Sequence, residues 1–192
     1  MRQLLLASSS PYRRELLSRL LLPFETKAPD IDETAHPDET PSQLVCRLAR
    51  EKALALTSSH HDHLIIGSDQ IAVLDQQILG KPHTHERAIA QLRACSGKSV
   101  HFLTGLALLD SREGTLQVDC ITFTVHFRDL TDQQIGRYLS AEQPYDCAGS
   151  FKAEGLGISL FRATEGSDVT SLIGLPLIRL VDMLNRAGIE IP

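Results

Sequence analysis

Strands and helices alternate along this chain, and three observations predict that class. Apolar runs with strand character occupy Gln3 to Ala7, Leu64 to Leu74 and Val100 to Leu109. Helix-start signals fall among them, at Ser10-Pro11, Thr40-Pro41, Thr84 and the capping box from Thr131 to Gln134. Behind the turn Ser111-Arg112-Glu113-Gly114, the residues Ile121, Phe123, Val125 and Phe127 alternate with polar ones, which predicts an antiparallel hairpin with one buried face.

A length of 192 residues suits one domain or two closely packed lobes, and 42% hydrophobic with 22% charged residues is an ordinary globular composition. The net charge of -5 argues against a nucleic-acid polymer as partner, because phosphate backbones need a basic face. Local cations can still serve a small anion. Cys46, Cys95, Cys120 and Cys147 are widely spaced without a C-x-x-C pair, so reduced, buried thiols are expected. No run reaches the roughly 18 apolar residues of a membrane span, and the N-terminal apolar run is short for a signal peptide. A cytoplasmic protein with no membrane partner is the expectation.

Taken in order, the first strand leads to Ser8-Ser9-Ser10-Pro11, with Ser10 as helix cap and Tyr12-Arg13-Arg14 in the first turn. Arginines beside the positive end of a helix dipole are unfavourable unless an anion offsets them. The segment is therefore either a phosphate site or a plain cap with solvated arginines. No G-x-x-x-x-G-K-[ST] is present. From Pro23 to Pro41 the chain reads as irregular and acidic, a solvated loop or a wall of oxygen ligands for Mg²⁺. Extended alternation puts Asp30 and Asp32 on one side there and Glu33 on the other. A helix from Thr40 to about Thr57 carries Lys52 on its apolar stripe, where the ammonium either snorkels outward or points into a polar cavity. His60-His61-Asp62-His63 reads as a solvated loop rather than a metal site.

The apolar run at Leu64 to Leu74 is interrupted by Gly67-Ser68-Asp69-Gln70 and is followed by Gly80-Lys81-Pro82. Either the interruption is a tight bend between two strands, or a buried carboxylate meets a cation there. A helix from Thr84 stops near Ser96-Gly97, and one from Thr131 stops near Gln143-Pro144. The glycine-punctuated stretch from Cys147 to Gly157 carries Lys152 and Glu154 and suits a ligand-facing loop or a structural turn. A strand over 158–161 and an amphipathic helix ending near Gly188 complete the chain.

Together these segments resemble the Maf-like nucleotide pyrophosphatases over essentially the full length. The matching pieces are Leu-Ala-Ser-Ser-Ser-Pro-Tyr-Arg-Arg at 6–14, Asp-Glu-Thr at 32–34, Glu-Lys-Ala at 51–53 and Gly-Ser-Asp-Gln at 67–70. Gly-Lys-Pro at 80–82, Ser-Gly at 96–97, Thr-Gly at 104–105 and Gly-Leu-Pro at 174–176 follow in the same order. The resemblance implies a single 1–192 domain with an α/β fold like the inosine triphosphate pyrophosphatases: a mixed twisted sheet, flanking helices and two lobes around a deep cleft. It implies hydrolysis of a nucleoside triphosphate between the α and β phosphates with a divalent metal, Mg²⁺ or Mn²⁺, and a possible homodimer.

Carried over by position are Ser8 and Arg13 for phosphate, Glu33, Lys52 and Lys81 in catalysis, and Asp69 as general base, with Glu33 and Asp69 also as metal ligands. At the base-facing positions Tyr12, Gln70 and Glu154, the chain resembles the branch acting on 7-methyl-GTP, although Tyr12 stands where a Trp is expected. Guanine presents adjacent N1 and N2 donors that the Glu154 carboxylate can accept together, whereas uracil offers one N–H between two acceptors. Methylation at N7 adds a positive charge that the Tyr12 face favours. The same reaction on UTP, dTTP or CTP is the nearest alternative, and a non-catalytic nucleotide-binding regulator of cell division is another.

Overall fold

A computed structural model describes residues 2–191. Seven strands form one mixed sheet in the order β2 (Phe24–Thr26), β1 (Gln3–Leu6), β3 (His63–Leu74), β5 (Ser99–Asp110), β6 (Thr115–Phe127) and β7 (Phe161–Glu165), with β4 (Gln77–Leu79) also paired to β3. The helices are α1 (Pro11–Ser18), α2 (Pro41–Leu54), α3 (His85–Cys95), α4 (Asp132–Glu142), α5 (Val169–Ile173) and α6 (Leu177–Arg186). Two compact units arise: the first from residues 1–70, 103–121 and 168–192, the second from 71–102 and 122–167. No helix among the described residues is long and apolar enough to cross a membrane.

In the first unit, β1 runs parallel to both β2 and β3, in a register that pairs Leu6 with Ile66. Side chains alternate across this sheet and fill two separate layers. Leu4, Leu6, Leu64, Ile66, Leu106 and Leu108 pack with α1 and α6 through Leu16, Leu17, Leu180 and Met183. Leu5, Ala7, Ile65, Ala107 and Leu109 pack against Ala49 and Ala53 of α2 and Leu56 beyond it. At about 25 cal/mol per Å², layers of this kind supply most of the driving force for the fold.

The helix starts follow the cap chemistry. Ser10 accepts from Arg13 N, Thr40 and Thr131 form capping boxes with Gln43 and Gln134, and Thr84 accepts from Arg87 N. In the second unit β4 and β7 pair antiparallel with β3 and β6. Phe102, Phe127, Phe151 and Phe161 stack edge to face there with centroids 4.8–5.5 Å apart, the spacing favoured by ring quadrupoles.

Several expectations change. Gly67 to Gln70 makes no bend: β3 is one strand of 12 residues. A glycine is required at 67 because a Cβ there would lie 2.0 Å from the Ala49 carbonyl oxygen of α2. Gly105 on β5 has the same role, its absent Cβ 2.1 Å from the Val45 carbonyl oxygen. Within the stretch read as irregular, Phe24–Thr26 forms an edge strand, and the strand expected over 158–161 begins at Phe161. Cys95 is buried as expected, but Cys46, Cys120 and Cys147 are only partly covered, and all four are free thiols. Burial pushes the Cys46 thiol up to about 11 and that of Cys95 up to about 12, which keeps both protonated at neutral pH.

Candidate active site

Beyond Leu6 strand β1 stops, whereas β3 continues through Gly67 to Gln70. The four residues of that motif thus extend past the carboxyl end of a parallel neighbour, the place where open α/β sheets bind ligands. Ser8 lies in the turn leaving β1, is buried, and accepts from Ser10 N at 3.1 Å. That bond shapes the chain into the start of α1.

Alternation continues through the motif and divides it. Gly67 and Asp69 face α2, and the Asp69 Oδ1 accepts from Lys52 Nζ at 2.6 Å. The same ammonium lies 2.8 Å from Glu33 Oε1. Lys52 is 7% exposed and Asp69 8%, so neither ion has bulk water to stabilise it, and each depends on the other. The lysine therefore points into a polar site, and the snorkelling alternative is excluded. Asp30, Asp32 and Asp38 are exposed, and from the acidic stretch Glu33 is the residue delivered to Lys52.

Arg13 reaches toward the same charges. Its Nε donates to the Gly174 carbonyl at 2.8 Å. Burial pulls the guanidinium pKa down from its ordinary value, while Asp69 and Glu33 act against that shift. Arg14, by contrast, is exposed, so the two adjacent arginines do not act together. One arginine, one lysine and two carboxylates thus converge within the first unit.

Ser68 and Gln70 face the other side. Ser68 Oγ is within 3.0 Å of the Gly105 and Gly174 carbonyl oxygens, and Gln70 Nε2 donates to Ser171 O at 2.6 Å and approaches Leu172 O and Thr104 Oγ1. Thr104 Oγ1 also donates to Ser171 O. These donors satisfy the carbonyls at the end of α5, the groups a helix leaves unpaired. Asp168 caps the other end of α5, accepting from Thr170 N, and its second oxygen accepts from Ile178 N at the start of α6. Gly174 has φ +118, a backbone region closed to most side chains. The Gln70 amide nitrogen is thereby committed to α5, and Asp69 and Gln70 point to opposite faces. The strand runs on without a bend, so nothing brings both side chains to one face.

Lys81, Glu154 and Lys152 belong to the second unit. Gln91 of α3 donates to Gly80 O at 3.0 Å and accepts from Ser150 Oγ, so one amide ties the Lys81 segment to the glycine-rich loop. Tyr138 Oη accepts from Lys152 N at 3.1 Å, and Glu142 Oε2 accepts from Leu156 N at 2.7 Å. A Cβ at Gly155 would fall 2.8 Å from Glu142 Oε2, so α4 presses directly on the loop that bears Glu154. Lys81 and Glu154 are themselves exposed.

Sequence reading missed Gln91, Tyr138 and Glu142, whose partners are 11 to 59 residues away, and it missed Arg47. Arg47 had one local signal, Glu51 one helical turn ahead of it.

A family model described as Maf-like protein matches residues 3–187. This chain is a member of the Maf-like family. Its relatives include a protein named 7-methyl-GTP pyrophosphatase in Pseudomonas syringae pv. syringae strain B728a, 71% identical over 192 residues and covering 100% of both chains. A protein of the same name in Pseudomonas aeruginosa PAO1 is 66% identical over 192 residues, again covering 100% of both. One in Alcanivorax borkumensis SK2 is 58% identical, covering 98% of this Maf-like chain and 96% of the relative. Among solved structures, the Ham1 protein of Staphylococcus aureus resembles it with a TM-score of 0.48 and 13% identity, over 67% of this chain and 73% of the other.

Proposed function

We propose that this Maf-like protein hydrolyses 7-methyl-GTP to 7-methyl-GMP and pyrophosphate. The observation that carries the reading is the Lys52 ammonium held between Asp69 at 2.6 Å and Glu33 at 2.8 Å, past the open end of β1. Full-length relatives at 58–71% identity that bear that name support the choice of substrate.

In this reading Arg13 and Ser8 receive the phosphates, joined by Lys81, so that negative charge developing on the leaving pyrophosphate meets cations and hydroxyls. Lys52 holds Asp69 Oδ1, and Oδ2 takes a proton from the water that attacks the α-phosphorus. The α–β phosphoanhydride bond breaks, and its electrons leave with pyrophosphate. Glu33 and Asp69 would hold a divalent ion, Mg²⁺ or Mn²⁺, and since among the described residues no set of three or more His, Cys, Asp or Glu offers an all-protein site, such an ion would depend on donors besides these two carboxylates. When bound, such an ion supplies charge neutralisation at the phosphates. Glu154 accepts from the guanine N1 and N2 donors and Tyr12 stacks on the methylated ring, while Gln70 acts from behind by fixing α5. The setting is the cytoplasm.

The test is pyrophosphate release from 7-methyl-GTP, GTP, UTP, dTTP and CTP, with Mg²⁺ or Mn²⁺. The expected result is a kcat/KM for 7-methyl-GTP at least about tenfold above the others, the ~1.4 kcal/mol that one charge-assisted contact supplies. Faster release from UTP overturns the substrate. No release from any nucleotide overturns the reaction and favours a binding regulator.

A further inference from the structure

Glu33 has a demanding position and little to hold it there. Its side chain is 59% exposed, and residues 30–39 form neither helix nor strand. Without an anchor, such a segment samples many conformations, and fixing it in one costs conformational entropy at every residue. Yet Glu33 Oε1 is 2.8 Å from Lys52.

The anchor is one arginine on α2. Arg47 meets both oxygens of Glu39, Nε to Oε1 at 2.7 Å and Nη2 to Oε2 at 2.8 Å, a two-pronged fit of guanidinium to carboxylate. Nη2 also donates to the Thr34 carbonyl at 3.0 Å, one residue beyond Glu33. Nη1 donates to Glu51 Oε2 at 3.0 Å, which fixes the arginine on its own helix. Inside the loop, Glu39 Oε2 accepts from His36 N at 3.1 Å and Asp32 Oδ1 accepts from Thr34 N at 2.9 Å. The loop is thus closed at Glu39, gripped at Thr34, and delivered at Glu33.

We infer that Arg47 is a positioning residue whose fork, by holding Thr34 and Glu39 on α2, places the Glu33 carboxylate on Lys52. The hydrogen bond from Arg47 holds the Glu39 carboxyl down at about 2, so the carboxylate is ionised and the fork intact at neutral pH. Lysine cannot replace it, since an ammonium has the charge without the planar pair of donors. The catalytic consequence rests on the pyrophosphatase reading, but the placement of the loop does not.

The experiment therefore has two arms. Hydrogen–deuterium exchange of the unliganded protein compares wild type with Arg47→Met and Arg47→Lys. Exchange in 32–39 is expected to rise about tenfold or more in both, an opening made easier by ~1.4 kcal/mol, with 63–74 unchanged. Kinetics on 7-methyl-GTP form a double-mutant cycle with Glu33→Gln. Arg47→Met is expected to cost about 10- to 30-fold in kcat/KM in the wild-type background and under about twofold beside Glu33→Gln, with Arg47→Lys recovering little. Unchanged exchange in 32–39 overturns the inference. So does an equal loss in both backgrounds, because a general structural role would multiply through the cycle. If exchange responds and the wild type cleaves no nucleotide, the placement of Glu33 stands and the proposed reaction falls.

Discussion

Asparagine at position 69 is expected to lower kcat for 7-methyl-GTP by about 100- to 10,000-fold, the range for losing a general base, while the protein stays folded. Asn keeps the volume of Asp and an oxygen that accepts from Lys52, now 2.6 Å from the carboxylate. What it lacks is the charge and the ability to take a proton from water. The ammonium is not stranded either, because Glu33 remains 2.8 Å away. Steady-state kinetics alongside thermal melting separates the two effects. A loss below about tenfold would remove Asp69 from the base role and leave it as half of an ion pair.

Alanine at Gly67 is expected to be among the most damaging changes that alter no charge. The added carbon would lie 2.0 Å from Ala49 O and 3.0 Å from Ala53 N, both backbone atoms of α2. Backbone has no rotamer to yield, so the helix must retreat as a body. Overpacking of this severity costs about 3 kcal/mol or more, and for a chain of this size that lowers Tm by roughly 6–12 °C. Lys52 moves with α2, so activity should fall as well. Gly136→Ala serves as control: a Cβ there meets nothing within 4 Å, and in the interior of α4 it should raise stability by about 0.5–1 kcal/mol. An unchanged Tm for Gly67→Ala would mean that α2 does not lie against β3 at this point.

What was legible in the residues was local. Ser10, Thr40, Thr84 and Thr131 cap helices by bonding amides three residues away, and each cap was readable as written. Period-two alternation located β6 for the same reason. Failures came where the cause lay far along the chain. Gly67 looked like a break because glycine weakens an isolated strand, yet its partner is a helix 18 residues upstream. Phe24–Thr26 became a strand through parallel pairing with β1, which leaves no mark in three residues. At the site, the motif segments named Lys52 and Asp69, and the alternative of a lysine aimed into a polar site was already open. Strand alternation by itself sets Asp69 and Gln70 on opposite faces, but only packing reveals that Gln70 is held by α5, and only packing reveals the fork of Arg47.

The division of β3 by odd and even positions also bears on which changes of length the chain can survive. One residue inserted ahead of Gly67 would set Ser68 opposite Lys52 and turn Asp69 toward the carbonyls of Ser171 and Leu172, where a carboxylate finds only acceptors. Catalysis and support of α5 would fail together, though every side chain was still present. In β3, then, parity carries the function: a change of length ahead of the motif inverts every later side chain at once, whereas a substitution alters one.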